Sequence, residues 1–168
     1  KQMVTVSSYT PITVNLTEVK AFCRVDGNAD DALLTMLFSA AVEEFNSYTG
    51  YRLGATTVTV DTWGQEQYAL PLGPVTAITS VTAYDDEGVS TVLALYTDST
   101  YVNTTLTLKE TPERMVIVYT CGDTNPPADI KHALYQRIKF GYDYGDDLPY
   151  NSNRFFDRLA FRYRQNFS

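Results

Sequence analysis

The apolar positions near the beginning of the chain predict a short helix. In the segment NLTEVKAFCRV, which begins at Asn15, three apolar residues recur at helical spacing and share one face: Val19, Phe22 and Cys23. Asn15 is a favourable N-cap, and Glu18 stands where a capping box places an acid. We therefore expect a helix that packs its apolar face against another part of the chain.

A second, longer helix is predicted in DDALLTMLFSAAVEEFNSYTG, after the loop DGNAD. Its apolar residues recur at steps of three and four and form a wide stripe: Leu34, Leu37, Phe38, Ala41, Val42, Phe45 and Tyr48. Asn28 or Asp30 is the expected N-cap, and Gly50 supplies the left-handed conformation that ends a helix. Both predicted helices have to bury one face.

The period changes to two residues in the middle of the chain. Five segments rich in Val, Thr, Ile and Tyr alternate in polarity and are separated by Gly, Pro, Asp and Asn: TTVTVDTW, QYALPL, AITSVTAYDDEGVSTVLALY, TYVNTTLTL and RMVIVYT. We expect these segments to form antiparallel strands. The residues Asp85, Asp86, Glu87 and Gly88 are typical of a short hairpin loop that projects from a sheet.

The helical period returns after CGDTNPPAD. Pro127 suits a first helical turn, Asp129 interacts favourably with the helix dipole, and an apolar face continues towards Gly141 and Gly145. Because helices and strands are grouped rather than alternating, the predicted fold class is α+β, with a helical hairpin-like N-terminal pair and a third helix packed with a small antiparallel β section. We expect one α+β domain over residues 1–150 and a C-terminal arm over residues 151–168.

Charge distinguishes the arm from the rest of the chain. All 168 residues together carry a formal net charge of −7. The arm, NSNRFFDRLAFRYRQNFS, contains four arginines and one aspartate, a net charge of +3, so the first 150 residues carry −10. An acidic body repels nucleic acid phosphates and is therefore not expected to be a general DNA-binding surface.

Patterns of catalytic and metal-binding residues are few. The loop DGNAD begins like a calcium loop, but Asp31 stands where that loop needs glycine and Leu37 where it needs glutamate. His132 is the only histidine, Cys23 and Cys121 favour buried thiols, and no P-loop or nucleophile-elbow pattern occurs. We expect no enzyme, no metal and no cofactor; a hydrolase whose carboxylates meet only in space is the alternative.

No stretch reaches the roughly 18 to 20 apolar residues of a membrane span, and the first residues lack the apolar core of a signal peptide. We therefore expect synthesis in the cytoplasm.

The arm is amphipathic if it is helical. Arginines four residues apart then share one face, namely Arg154, Arg158 and Arg162, and apolar residues occupy the adjoining face, namely Phe155, Phe156, Leu159 and Tyr163. One interpretation is a last helix packed on its own domain with solvated arginines. Another is docking on a different protein, because arginine and aromatic residues are enriched where interfaces are strongest, and the spacer GYDYGDDLPYNSN favours a mobile connection. A third is an anchor to nucleic acid or a membrane surface.

Four segments occur in an informative order. They are LTEVKAFCRVDGNADDALLTMLFSAAVEEFNSYTGYRL, with its Y-T-G stop; LPLGPVTAITSVTAYDDEG; PPADIKHALYQRIKFGYDYGDD, with P-x-D-I-K-x-A; and RLAFRYR. In this order the chain resembles the head-tail connector proteins of long-tailed bacteriophages, also called adaptor or head-completion proteins, from about Leu16 onwards. It departs from that family in a longer, threonine-rich β section between Thr91 and Thr111 and in the extended acidic spacer.

The resemblance implies a structural virion protein at the head-tail junction. Members of the family form a ring below the portal protein, a dodecamer in the virion, which extends the DNA channel without binding the passing DNA specifically. The next neck or tail-completion protein attaches to this ring, and no membrane is involved. The family's C-terminal segment reaches the portal, so the resemblance assigns portal binding to Arg154, Phe155, Phe156, Arg158, Leu159, Phe161, Arg162 and Tyr163. The hairpin residues Asp85, Asp86, Glu87 and Gly88 are expected to contact a neighbouring subunit or the tail-side partner.

Overall fold

A computed structural model of the chain describes residues 2–94, 99–102, 105–145 and 154–164. In chain order the elements are β1 (Met3–Pro11), α1 (Leu16–Cys23), α2 (Asp31–Thr49), β2 (Gly54–Trp63), β3 (Gln67–Ala69), β4 (Val75–Tyr84), β5 (Ser90–Leu93), β6 (Ser99–Val102), β7 (Thr105–Leu108), β8 (Arg114–Cys121), α3 (Ala128–Tyr144) and α4 (Arg154–Tyr163). The predicted α+β class is confirmed.

The strands form two sheets that share one apolar core. The larger sheet has the order β1-β2-β8-β4-β5 and the smaller one the order β3-β7-β6, with antiparallel neighbours throughout. Alternate residues of β2 and β8 are buried, as a two-residue period requires when one face of a sheet is covered. The core between the sheets consists of Val58, Val60, Tyr68, Leu70, Ile78, Val81, Leu106, Leu108, Met115, Ile117, Tyr119 and Cys121. The β section is therefore larger than the sequence analysis predicted.

The helices pack around a second core, whose buried side chains are Val19, Cys23, Leu34, Phe38, Ala41, Val42, Phe45, Tyr51, Leu53, Ile130, Ala133, Leu134, Ile138, Phe156, Leu159 and Ala160. The predicted boundaries of the first two helices are confirmed: the Asn15 side chain accepts a hydrogen bond from the Glu18 N–H at 3.3 Å, and Gly50 ends α2 at φ 71°. Helix α3 does not end at Gly141 but continues to Tyr144. A Cβ at position 141 would stand 3.0 Å from a Leu37 methyl group of α2. This glycine allows α2 and α3 to approach closely.

The strand register defines two ends of the larger sheet. Pro11 pairs with Gly54 at the end where the chain continues into the helices, and Trp63 pairs with Arg114 at the opposite end. Strands of nine to ten residues separate the two ends by about 30 Å, at about 3.3 Å a residue. We call the first the helical end and the second the distal end.

Several β predictions needed correction. Strand β1 was not predicted, because most of its residues are exposed and no apolar face marks it. The segment TYVNTTLTL, predicted as one strand, forms the two paired strands β6 and β7. Residues 95–98 and 103–104 lie outside the described residues, as do residues 146–153 of the predicted spacer, whose first four residues belong to α3.

Candidate functional site: two interaction surfaces

Helix α4 packs one face on the helical core of its own chain. Phe156 is 2% exposed and Leu159 is 4% exposed. The Phe156 ring lies edge-on to that of Phe45, with centroids 6.0 Å apart. The sequence analysis placed Phe156 and Leu159 in a groove on another protein, and this needs correction: in the structure both fill the core of their own chain, as the alternative of a packed last helix expects.

Tyr163 forms the polar end of this attachment. Its ring lies edge-on to Tyr51 at 5.4 Å, and its hydroxyl donates to both carboxylate oxygens of Asp129, at 2.9 and 3.2 Å. Burial, together with the hydrogen bond to Asp129, raises the pKa of Tyr163, so the phenol keeps the proton that it donates to Asp129 further into the alkaline range. The contact joins the end of α4 to the first turn of α3.

The other face of α4 is exposed. It carries Arg158, Phe161 and Arg162, and Arg164 follows directly after the helix; Phe161 is 67% exposed. The Arg164 guanidinium lies over the Tyr48 ring of α2, 5.7 Å from its centroid. No carboxylate of the described residues pairs with these three arginines. We call Arg158, Phe161, Arg162 and Arg164 the basic face; the side chains of Arg154 and Phe155 lie outside the described residues.

At the distal end Trp63 is 61% exposed, beside a fixed arginine. The Arg114 guanidinium donates to both carboxylate oxygens of Asp61, at 2.8 and 2.6 Å, and lies 4.9 Å from the centroid of the Tyr84 ring. The hydrogen bond from Arg114 lowers the pKa of the Asp61 carboxyl. Bidentate pairing and ring stacking together hold the guanidinium in one orientation.

The predicted hairpin projects next to this arginine. The Asp85 carboxylate accepts hydrogen bonds from the backbone N–H groups of Glu87 at 3.1 Å and Val89 at 2.7 Å, and Gly88 has φ 79°. Asp86 is exposed. A groove of about 420 Å³ runs between the loop and the strand ends, lined by Trp63, Tyr84, Asp85, Asp86, Gly88, Glu113 and Arg114. We call these groove residues, with Glu87, the acidic tip; its contact with a partner stays a prediction.

The histidine and the two cysteines, which the sequence analysis considered as possible catalytic or metal-binding residues, pack against or among other side chains. His132 lies edge-on to Phe22 at 5.7 Å, and Cys23 and Cys121 are both buried. Burial raises the pKa of Cys121 to about 11. In the part of the chain that the structure describes, no three His, Cys, Asp or Glu side chains are grouped to hold a metal ion, and no helix is long and apolar enough to cross a membrane.

The sequence analysis missed two structural features. Four tyrosine hydroxyls donate to carboxylates on other elements: Tyr51 to Asp123, Tyr135 to Glu18, Tyr142 to Asp30 and Tyr163 to Asp129. The only signal in the sequence for these hydrogen bonds is that tyrosines and acidic residues are both abundant. It also gave no reason to single out Trp63, because an aromatic residue at a strand end is as often buried as exposed.

Comparisons with known proteins agree with this fold. A family model described as "Head completion protein" matches residues 12–145. A chain of the solved "Neck of empty GTA particle computed with C6 symmetry", where GTA is a gene transfer agent, is 20% identical with a TM-score of 0.76. A chain of the "Virion of native gene transfer agent (GTA) particle" is also 20% identical, with a TM-score of 0.74. In both cases the match covers 99% of this chain and 97% of the other.

These structural matches show a shared fold, and no curated protein matches the sequence. The family model is the stronger finding, because it spans most of the chain. The chain belongs to the head completion protein family.

Proposed function

We propose that this chain is a structural, non-catalytic virion protein that joins the head to the neck or tail. Its family and its likeness to chains of a gene transfer agent neck support this role. The observation that carries the proposal is the position of two unlike surfaces, the basic face at the helical end and the acidic tip at the distal end, with the length of the strands, about 30 Å, between the two ends. A subunit that links two different proteins needs two such surfaces.

In this proposal the basic face binds the portal protein. Arg158 and Arg162 pair with portal carboxylates, and the exposed Phe161 fills an apolar depression between them. Phe156, Leu159 and Tyr163 contribute indirectly, because they hold α4 on its core and so fix the direction of the arginines. Of the eight residues to which the resemblance assigns portal binding, direct contact is thus proposed for those that the described structure leaves exposed, namely Arg158, Phe161 and Arg162.

The acidic tip binds the next neck or tail-completion protein. Trp63 offers a large rigid apolar surface, and Asp86, Glu87 and Glu113 surround it with negative charge. A basic segment that carries an apolar anchor matches this chemistry. Asp85 and Gly88 shape the loop, so their role is to position the acids.

Twelve copies arranged around the DNA channel would complete the proposal. Solved structures of the similar neck were computed with C6 and with C12 symmetry, which supports a ring. The acidic composition of the first 150 residues suits a channel through which DNA passes without specific binding, because like charges repel.

Charge reversal on the basic face tests the portal contact. The double variant Arg158→Glu, Arg162→Glu should keep the fold, since both side chains are exposed, yet lose binding to the purified portal protein by at least tenfold. The control variant Arg24→Glu, Lys109→Glu changes the net charge equally at exposed positions away from α4. Equal binding by the reversed variant and the control would refute the portal contact.

A second candidate function is an anchor to nucleic acid or anionic lipid, which the absence of described carboxylate partners at the basic face favours. Such binding weakens steeply with salt. Titration of the full chain with double-stranded DNA and with anionic vesicles at several salt concentrations separates the two candidates: salt-sensitive binding to either, lost in the double variant, would favour the anchor.

A further inference from the structure

Both outer edges of the larger sheet lack charged residues. Strand β1 has the sequence MVTVSSYTP and β5 the sequence STVL, without Lys, Arg, Asp or Glu in either. No strand of the described residues pairs with the outer side of β1 or of β5. Sheet edges are usually protected by charges, prolines or a covering element, since their free N–H and C=O groups can pair with a strand from another chain. These two edges lack the charges.

The two edges run in the same direction. Every pair of neighbours in the order β1-β2-β8-β4-β5 is antiparallel, so β1, β8 and β5 point one way and β2 and β4 the other. A rotation about an axis roughly along the strands therefore places β5 of one copy parallel to β1 of the next. Repeating that rotation closes a ring, whereas a twofold axis joins β1 to β1 or β5 to β5 in antiparallel pairs.

The two edges also lie at the same height. One row of paired residues crosses the whole sheet, namely Met3, Asp61, Val116, Thr82 and Val92. The two ends of the row, Met3 and Val92, are exposed apolar side chains. Met3 is 58% exposed and Val92 is 70% exposed. The next row joins Val4 through Val60, Ile117 and Val81 to Leu93. Val92 and Leu93 of β5 are therefore level with Met3 and Val4, whereas no residue of β1 is level with Ser90 and Thr91. The two edges therefore agree in direction and polarity, and they overlap in height over two residues.

We propose that β5 of one copy adds to the beginning of β1 of the next copy, with Val92 and Leu93 beside Met3 and Val4, so that the larger sheets of neighbouring subunits join into one continuous band. This rests on the proposed function, because it names the subunit contact of the proposed ring. A second copy is the occupant that the geometry favours, because β5 and β1 run in the same direction and share two rows of the sheet. Chains of net charge −7 repel one another, and this repulsion is weakest where both contacting strands are uncharged.

The size of the contact sets its strength. Two level residues of shared edge extend over about 7 Å, which buries far less than the roughly 1,200 Å² of a stable pair of proteins. A single contact therefore does not hold two copies together in dilute solution. Closure of the ring, or attachment of several copies to one portal, raises the effective concentration enough to form it.

Thiol crosslinking of the full chain at about 1 mM tests the contact, with a short bismaleimide reagent. The variants Met3→Cys and Val92→Cys are made separately and mixed; because Cys23 and Cys121 are buried, the introduced thiols dominate the reaction. We expect the mixture to give at least five times more crosslinked dimer than either variant alone. The control mixture replaces Met3→Cys by Met36→Cys, since Met36 is 59% exposed on α2.

Equal dimer from the control mixture would overturn the proposal, and so would a Met3→Cys variant that forms as much dimer by itself, which indicates twofold pairing of β1. Thr91→Lys, at an exposed position of β5, should reduce crosslinking between the Met3→Cys and Val92→Cys variants at least fivefold, and unchanged crosslinking would also count against the contact. If crosslinking fails while the chain still binds the portal through the basic face, the ring contact lies elsewhere and the proposed function stands. If portal binding ignores the basic face, the proposed function fails whatever the crosslinks show.

Discussion

The two ends of the molecule use aromatic residues in opposite ways. At the helical end Phe156 is 2% exposed and the Tyr163 hydroxyl donates to Asp129, so these two aromatic residues of α4 serve the chain's own stability, whereas Phe161 stays exposed on the basic face. At the distal end Trp63 is 61% exposed although the neighbouring Arg114 is held by Asp61 and Tyr84. An amphipathic segment can thus bury most of its apolar residues and still present its charges, while an apolar side chain left exposed beside a fixed polar group is a candidate contact for a partner.

The largest expected effect is at the buried face of α4. Phe156→Ala removes a buried ring from the helical core and should lower the free energy of unfolding by about 3 to 5 kcal/mol. Phe161→Ala, on the exposed face of the same helix, should change it by less than about 0.5 kcal/mol. Urea unfolding of both variants measures the difference, and equal small effects would show that α4 does not contribute to the core.

A smaller loss is expected at the polar end of the same attachment. Tyr163→Phe keeps the ring contact with Tyr51 but removes the hydrogen bonds to Asp129, which should cost about 1 to 2 kcal/mol. Protease cleavage within α4 should also become faster than in the unmodified chain, because the helix is held less firmly on its core. A variant as stable as the parent would mean that the hydrogen bond from Tyr163 to Asp129 adds no net stability over the hydrogen bonds that both groups make to water in the unfolded chain.

Alkaline pH should weaken the fold, in part through the tyrosines of the helical end. Burial raises the pKa values of Tyr51 and Tyr163, so the folded chain retains protons that the unfolded chain releases above about pH 10. Stability is therefore fully present below pH 10 and falls as pH rises above it. Urea unfolding at pH 8, 10 and 11 should show this decline, and Tyr51→Phe should make it shallower; an identical slope in that variant would contradict the assignment.

The smallest effect on stability is expected at the distal end. Trp63→Ala should change the free energy of unfolding by less than about 0.5 kcal/mol, because most of this side chain is already in water. The same substitution should reduce tail joining in a complementation assay, since the apolar anchor of the acidic tip is lost. Normal tail joining would place the tail-side contact elsewhere, and a large loss of stability would show that Trp63 belongs to the core.

Local signals were sufficient to predict α1, α2 and the acidic hairpin. Asn15 with Glu18, the final Gly50, and Asp85 with Gly88 act within a few residues of one another, and the structure shows each capping or turn contact. Strand β1 escaped prediction because its pairing with β2 depends on backbone hydrogen bonds rather than on a buried face.

The attachment of α4 could not be chosen from the sequence. The apolar spacing of Phe156, Leu159 and Tyr163 predicts that one face is covered, but periodicity does not say which surface covers it. The answer depends on Phe45, Tyr51 and Asp129, which lie far away in sequence. The tyrosine–carboxylate bonds were missed for the same reason: Tyr135 and Glu18 are 117 residues apart.

Electron microscopy of the chain assembled on its portal protein tests the central claim most directly. We predict that the basic face of every subunit contacts the portal and that Trp63 and the Asp85 hairpin lie on the opposite rim, further along the channel by at least the strand length of about 30 Å. A ring in which α4 lines the channel, or in which both surfaces contact the portal, would contradict the account.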